Sequence, residues 1–461
     1  MASTSFSCSD RPGACAPILF SVLIAILAAE ALGAASPAST DNIAPLIIKV
    51  THYEPAHIAI PTFDAGKSGA ALKQNDFHDV IYKDLEINGY FLRGRNQPTI
   101  EETHQADLKT GNPDFAEWRR LGADFLLTGS YEVSGNQIEA TCILYTVGGG
   151  KRIFGKRFTN TIDQQRVLAH LISDEIMRYA AGVEGVANTK ILYVSTSDPT
   201  RQSREVWVMD ADGENPYQLT HENALVATPA WGANATEVYY TSYRDYNPDL
   251  WGTYLKGGSS WVISRFPGLN VSPAWSPVRQ RIALTLGKDG NSEIYTIDRE
   301  GKNMRRLTTD RNIDASPGWS PSGNDIVFTS DRSGSPQIYI MDAEGVNTPQ
   351  RISFVGSSYC DSAVWSPKGD KIAFVARQNG VFDISVCEIN GSSPHRLTQG
   401  QGNNEDPTWA PNGQMLAFTS DRTGTSQIYI MDDKGANQRQ LTRRGHNTSA
   451  AWSPFLIKAA K

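Results

Sequence analysis

The chain is poor in cysteine, with five in 461 residues. Cys8 and Cys15 fall in an apolar leader, and the remaining Cys142, Cys360 and Cys387 are too few and too uneven for a disulfide framework. Charge of one sign is lacking too. Lys plus Arg number 43 against 49 Asp plus Glu, a net −6, which excludes the basic stripe of a nucleic-acid binder. Long hydrophobic runs are absent beyond the first residues. The one candidate, Ala16–Ala29, holds 14 uncharged residues, short of the ~20 that span a bilayer. Gly33-Ala34-Ala35-Ser36 follow it, so residues 1–35 read as a cleaved secretory signal and the remainder as exported, without membrane insertion. Catalytic signatures are equally scarce. There is no G-x-S-x-G, and the eight histidines form no H-x-x-x-H pair. Gly66-Lys67-Ser68 lacks the leading glycine of a phosphate loop, because Pro61 stands there. No catalytic residue, cofactor or metal site is implied.

What the chain does contain is a period. Trp231, Trp275, Trp319, Trp365, Trp409 and Trp452 are separated by 44, 44, 46, 44 and 43 residues, the spacing of four-stranded propeller blades. Four segments recur. The A segment is Pro273-Ala274-Trp275-Ser276-Pro277 or Thr408-Trp409-Ala410-Pro411. B is Ile326-Val327-Phe328-Thr329-Ser330 and C is Ile338-Tyr339-Ile340-Met341-Asp342. D is Arg306-Leu307-Thr308 or Arg396-Leu397-Thr398. β-branched and aromatic residues between Gly, Pro, Asn and Asp make these strands. The fold class is therefore mainly β, a six-bladed β-propeller over 189–456 behind a small α/β domain.

The first B strand (Ile191–Ser195) has no A strand before it, and the last A strand (Ala451–Ser453) has no B after it. The last strand should complete the first blade and remove an exposed edge. The tryptophans read as packing between blades rather than as ligand platforms. Asp210-Ala211-Asp212-Gly213, Asp342-Ala343-Glu344-Gly345 and Asp432-Asp433-Lys434-Gly435 resemble the opening of a calcium loop. They lack its later ligands, so they read as C–D turns with glycine at positive φ.

Strand direction sorts the loops. A–B and C–D turns share one tight, repetitive face. B–C loops and D–A connections share the other, with Tyr243–Asn247, Asp331–Gly334, Arg377–Gly380, Asp421–Gly424, Gly400–Asp406 and Arg443–Ser449. Repetition marks scaffold, whereas variation marks a candidate binding face. Cys360 and Cys387 fall towards opposite faces, too far apart for a bridge. Both are expected as free thiols.

Residues 45–184 carry no repeat. A strand near His57–Pro61 leads to a helix with Phe77, Val80, Ile81 and Leu85 on one side, stopped at Gly89. Ala123–Val133, Gln137–Thr146 and Lys151–Phe158 read as an antiparallel meander, followed by a helix over Asp163–Tyr179 and a linker over Gly182–Thr189.

Gly122-Ala123-Asp124 and Thr128-Gly129 ahead of blades carrying Ala-Trp-Ser-Pro, Phe-Thr-Ser-Asp-Arg, Ile-Tyr-Ile-Met-Asp and Arg-Leu-Thr closely resemble the TolB family. The resemblance covers nearly all of the chain after the leader. It implies a periplasmic, non-enzymatic adaptor of the Tol-Pal envelope system, supporting outer-membrane integrity and constriction at division. Its implied partners are the lipoprotein Pal, TolA and other outer-membrane or peptidoglycan-associated proteins. Carried over, Leu269, Asn270, Ser272, Asp314, Thr329, Asp331, Arg332, Asp421 and Arg422 would face Pal. Ile43, Leu46, Ile47 and Ile48, within a mobile segment of residues 36–51, would meet TolA. The alternative is an exported propeller hydrolase. A protease-associated propeller would need a hydrolase domain, for which the few residues after Trp452 leave no room. A metal-dependent lactonase type would need acids lining the channel, for which Asp314, Asp361 and Asp406 are the candidates. The family pattern breaks at Gly232-Ala233-Asn234, where Ser-Pro should follow Trp231, and in the strands around Leu250–Tyr254 and Trp261–Arg265.

Overall fold

The computed structural model describes residues 54–66, 74–196 and 203–456, apart from the side chains of 74–77. The expected signal segment and the segment of residues 36–51, with Ile43, Leu46, Ile47 and Ile48, lie outside the described residues.

The N-terminal elements are β1 (Ala56–Ala59), β2 (Asp64–Ala65), α1 (Gln74–Ile87), β3 (Phe91–Arg93), α2 (Gln97–Thr110), α3 (Phe115–Arg120), β4 (Phe125–Ser134), β5 (Gln137–Thr146), β6 (Lys151–Thr161) and α4 (Gln165–Ile176). The sheet order is β3-β1-β4-β5-β6, with β2 beside β4. β1 runs parallel to both β3 and β4, while β4–β6 form the antiparallel meander. Alternation along the strands divides the core. Ile58 and Leu127 join the cluster containing Leu85, Leu168 and Ile172, whereas Ala59 and Leu126 join Ile100 and Trp118 on the other face.

Helices α2 and α3, on that second face, were not expected. α2 is largely polar and buries Thr103, His104 and Asp107 beside Ile100, so it shows no hydrophobic stripe. It is anchored by a hydrogen bond instead. Trp118 of α3, fully buried, donates from Nε1 to Asp107 Oδ2 at 2.7 Å. Asp114 caps α3 by accepting from the Ala116 and Glu117 N–H groups.

Six four-stranded sheets follow. The first blade combines its B, C and D strands (Lys190–Thr196, Glu205–Asp210, Tyr217–Gln218) with the final A strand, His446–Trp452. The closing pair is antiparallel, with Trp452 opposite Ile191 and His446 opposite Thr196. The other A strands are Val226–Trp231, Asn270–Ser276, Asp314–Trp319, Cys360–Trp365 and Asn404–Trp409. Cys360 therefore opens an A strand instead of lying in the preceding connection. Cys142, Cys360 and Cys387 are all buried and free.

Two repeated contacts explain the conserved shape of the units. In three blades the tryptophan Nε1 donates to the preceding blade's A-strand backbone, next to that blade's own tryptophan. Trp231 reaches the Ala451 carbonyl, Trp319 that of Ala274 and Trp409 that of Val364, at 2.9, 3.0 and 3.3 Å. The D segment is fixed by its hydroxyl. Thr220, Thr308, Ser353, Thr398 and Thr442 donate to a side chain at the start of the C strand (Glu205, Glu293, Gln337, Asp383, Gln427). Each also accepts the N–H of the next C-strand residue. One hydroxyl thus satisfies two groups in each of five blades. The C–D turns are as expected. Gly213, Gly345 and Gly435 have φ of +86°, +64° and +81°, and the Asp342 and Asp432 carboxylates accept turn N–H groups rather than presenting ligands.

Candidate functional site

The tight face is partly occupied. The N-terminal domain docks on the turns of the first and sixth blades. Arg439 donates to the Glu86 carbonyl, Asn412 to that of Glu184, and Lys83 pairs with Glu214. The junction buries a charged network. Asp84 of α1 meets His170 Nδ1 of α4 at 2.8 Å and accepts from Ser173 Oγ. Asp212 of the first blade's C–D turn takes Arg166 at 2.6 Å, with Lys83 at 3.6 Å. Asp84, His170 and Asp212 stand close enough to share an ion. Arg166 and Lys83 already compensate Asp212, however, so the group reads as an interdomain ion network. Burial pulls the His170 imidazole down, but Asp84, with Asp212 and Asp210 beyond it, outweighs burial and leaves it raised. Burial lifts the carboxyl of Asp174 to about 7, although it accepts the Ala187 and Asn188 N–H groups of the linker.

The opposite face carries the central funnel. Each A strand has a bulge where its register with B shifts. At that bulge one residue takes left-handed φ: Thr228 (46°), Ser272 (54°), Ser316 (53°), Ser362 (55°), Asp406 (51°) and Ser449 (56°). None is glycine, so each bulge holds a conformation that L-residues ordinarily avoid. Together with Pro229, Pro273, Pro317 and Pro407 they line a pocket of 170 Å³ at the hub. The ring is hydroxyl-bearing except at Asp406, whose Oδ2 accepts from Ser449 N–H and Thr419 Oγ1. Desolvation, with Asp361 nearby, raises its carboxyl. Glu405 is raised by burial and by Asp406 and Asp421. The funnel thus has an acidic sector on two neighbouring blades.

Around the funnel, the residue six before each repeat tryptophan is Leu225, Leu269, Ile313, Tyr359, Asn403 or His446. Leu225, Leu269 and Ile313 are 37%, 38% and 51% exposed, and Tyr246 at the tip of the second blade's B–C hairpin is 97% exposed. Four consecutive blades therefore offer an apolar arc, and the remaining two offer polar residues.

The residues expected to face a partner divide into surface and support. Leu269 is on the surface and Ser272 is in the funnel ring. Asn270 is fully buried. It accepts from Ser264 Oγ and Phe266 N–H and donates to the Phe266 and Gly268 carbonyls. Asp314 is also fully buried, held by Arg332 at 2.9 Å from both oxygens. Neither can present its side chain to a partner; both hold loops in shape, which corrects their expected placement on the face. Thr329 is buried and donates to Asp361. Asp331 and Asp421 accept the Ile313 and Asn403 N–H groups across the D–A connections. Arg422 reaches Asn404 and Ser420 while stacking on Tyr429. The channel-acid alternative loses its geometry. Asp314, Asp361 and Asp406 occupy the first, second and third positions of their A strands, so they point differently and form no ring.

These features define a closed six-bladed propeller with an α/β domain docked on its tight-turn face and a funnel opening on the other. Residues 178–456 match the family model described as the TolB beta propeller domain, and residues 46–153 the one described as the TolB amino-terminal domain. The chain belongs to the TolB family. A Tol-Pal system protein TolB of Desulfosudis oleivorans is 34% identical over 210 residues, covering 45% of this chain and 47% of the relative. That of Rickettsia africae is 32% identical over 218 residues, covering 47% and 48%. The chain thus spans about half the length of the curated relatives it matches. The crystal structure of TolB from Acinetobacter baumannii is similar with a TM-score of 0.76, at 26% identity over 87% of this chain and 97% of that chain. Among the described residues no helix is long and apolar enough to cross a membrane.

Proposed function

We propose that this chain is a non-enzymatic periplasmic adaptor of the Tol-Pal system. It binds the lipoprotein Pal through the funnel face and TolA through residues 36–51, in support of outer-membrane integrity and division. The observation that carries the reading is the inequality of the two faces. One is taken by the N-terminal domain, whereas the other leaves an apolar arc of Leu225, Leu269 and Ile313 uncovered around a strained ring. Exposed apolar side chains clustered beside a polar rim suit a protein partner.

The test is calorimetry with purified Pal against Leu269→Asp, Ile313→Asp and Ser272→Asp. Each should weaken binding at least tenfold, about 1.4 kcal/mol, without lowering the melting temperature. Unchanged affinity in folded variants would refute the mapped face. Deleting residues 36–51 should abolish TolA binding and spare Pal; retained TolA binding would refute that half.

A further inference from the structure

The N-terminal domain has a pocket of its own, remote in sequence from the blades. It holds 280 Å³ between the C-terminal half of α2 and strands β4 and β5, near the lower end of the range for small-ligand sites. Its ionisable groups are Asp64, His104 and Asp107. His104 is 3% exposed and meets Asp64 Oδ2 through Nε2 at 3.2 Å, while its Nδ1 has no partner. With the proton on Nε2 facing the carboxylate, Nδ1 is left as a bare acceptor. Asp107 lies beside it, both oxygens engaged by Trp118 Nε1 and the Asp114 N–H. Among the described residues no lysine or arginine pairs with Asp64 or Asp107.

The rest of the wall mixes the neutral polar side chains of Asn112, Thr128, Ser130 and Thr141 with an apolar side. Leu108 is 49% exposed at the mouth, and Ile143 and Tyr145 project from β5. A negative end at Asp64, without a cationic side chain and beside Leu108, Ile143 and Tyr145, selects against anions, which Asp64 repels. It also selects against a compact metal ion, since the pocket's acids and imidazole do not converge as ligands. It fits a cation on a hydrocarbon stem, whose methylenes cover the apolar side while its head supplies the positive charge that Asp64 lacks.

We propose that this pocket binds an aliphatic-stemmed cation, either the ammonium or guanidinium of a lysine or arginine side chain or a small diamine. The site stands independently of the adaptor reading, because it uses neither the funnel nor residues 36–51.

The experiment is methyl-detected NMR of the full chain, following Leu108 and Ile143. The probes are blocked lysine amide, blocked arginine amide, 1,5-diaminopentane and blocked norleucine amide as the neutral isostere. The cations should give saturable shifts with Kd on the order of 1 mM, and norleucine should bind about tenfold more weakly or not at all. Asp64→Asn should cost about tenfold in cation affinity and leave norleucine unaffected. Leu108→Ala, at an exposed position where folding is not at stake, should weaken all stemmed ligands. Tighter binding of the blocked amino acids assigns a polypeptide source, and tighter binding of the diamine a free amine; either supports the site. Norleucine binding as well as lysine, full affinity in folded Asp64→Asn, or no shift with any cation would overturn it.

Discussion

Trp452 and Trp365 occupy equivalent positions in the repeat, yet the structure assigns them different energies. Trp452 is 5% exposed and packs against Ile191, Met415 and Ile430 at the closing seam. Its Nε1 donates to Thr189 Oγ1 at 2.8 Å. Trp365 is only partly buried, and its Nε1 is shielded from solvent without a hydrogen-bond partner. Trp452→Ala removes a well-packed indole, about 3–5 kcal/mol, together with a hydrogen bond of net ~1 kcal/mol. Trp365→Ala loses less apolar burial, and deleting an unsatisfied N–H returns roughly 1–3 kcal/mol of desolvation penalty. The first variant should therefore be the less stable by about 2 kcal/mol or more. Urea unfolding followed by tryptophan fluorescence and far-UV circular dichroism measures the difference. Equal destabilisation, or a greater loss for Trp365→Ala, would refute the assignment of the seam as the more tightly held site.

Other expectations follow from named contacts. Ending the chain at Thr448 removes the pairs Ala451 to Leu192 and Trp452 to Ile191. It should lower the melting temperature and promote self-association through the freed edge, read by light scattering; a full-length melting profile would refute closure. Arg332→Ala strands the buried Asp314 and should cost about 3–5 kcal/mol. Asp314→Asn should be nearly neutral, because Asn404 already accepts Arg422 at 2.8 Å in the matching place of the sixth blade; equal losses would break this argument. For Asp174, burial raises the folded carboxyl from 3.8 to about 7. The folded state then holds a proton that the unfolded state has released, so this contribution to stability is present below pH ~4 and is lost as pH rises to ~7. Asp174→Asn should therefore gain stability relative to the parent between pH 5 and 8. A difference in melting temperature that does not vary with pH would contradict the raised value.

The propeller was legible because its information is repeated. A tryptophan period, glycine at each C–D turn and an unpaired strand at either end of the repeat determine blade count and closure without reference to distant contacts. The α/β domain was half legible for the opposite reason. α1 and α4 show stripes because they cover the sheet with apolar side chains. α2 uses Thr103, His104 and Asp107 where a stripe would stand, and the partner that makes this tolerable, Trp118, lies on another helix. The docking of this domain on the first and sixth blades was illegible, since Lys83, Arg166 and Arg439 look like ordinary surface charges until their partners are known. The funnel ring did leave a signal. Three residues before every repeat tryptophan stands Ser, Thr or Asp, but that position carries meaning only once the bulge is seen.

That position also shows how function has to be sought in a repeat. A hydroxyl three residues before tryptophan says little about partners, because five of the six blades carry one at a left-handed bulge. Information lies in the departures from the repeat. Asp406 replaces the hydroxyl in one blade, and Asp361 and Glu405 stand in its vicinity, which gives the funnel an acidic side. Six residues before tryptophan, Leu225, Leu269, Ile313 and Tyr359 give way to Asn403 and His446, so the rim has an apolar side. The break from apolar to polar at Asn403 falls on the blade that carries Glu405 and Asp406. A six-fold scaffold presenting a face with two unlike sides can accept an asymmetric partner in one orientation only, because every other rotation would bury a carboxylate against apolar surface. The repeat supplies the rigid ring, and its violations set the direction from which a partner is read.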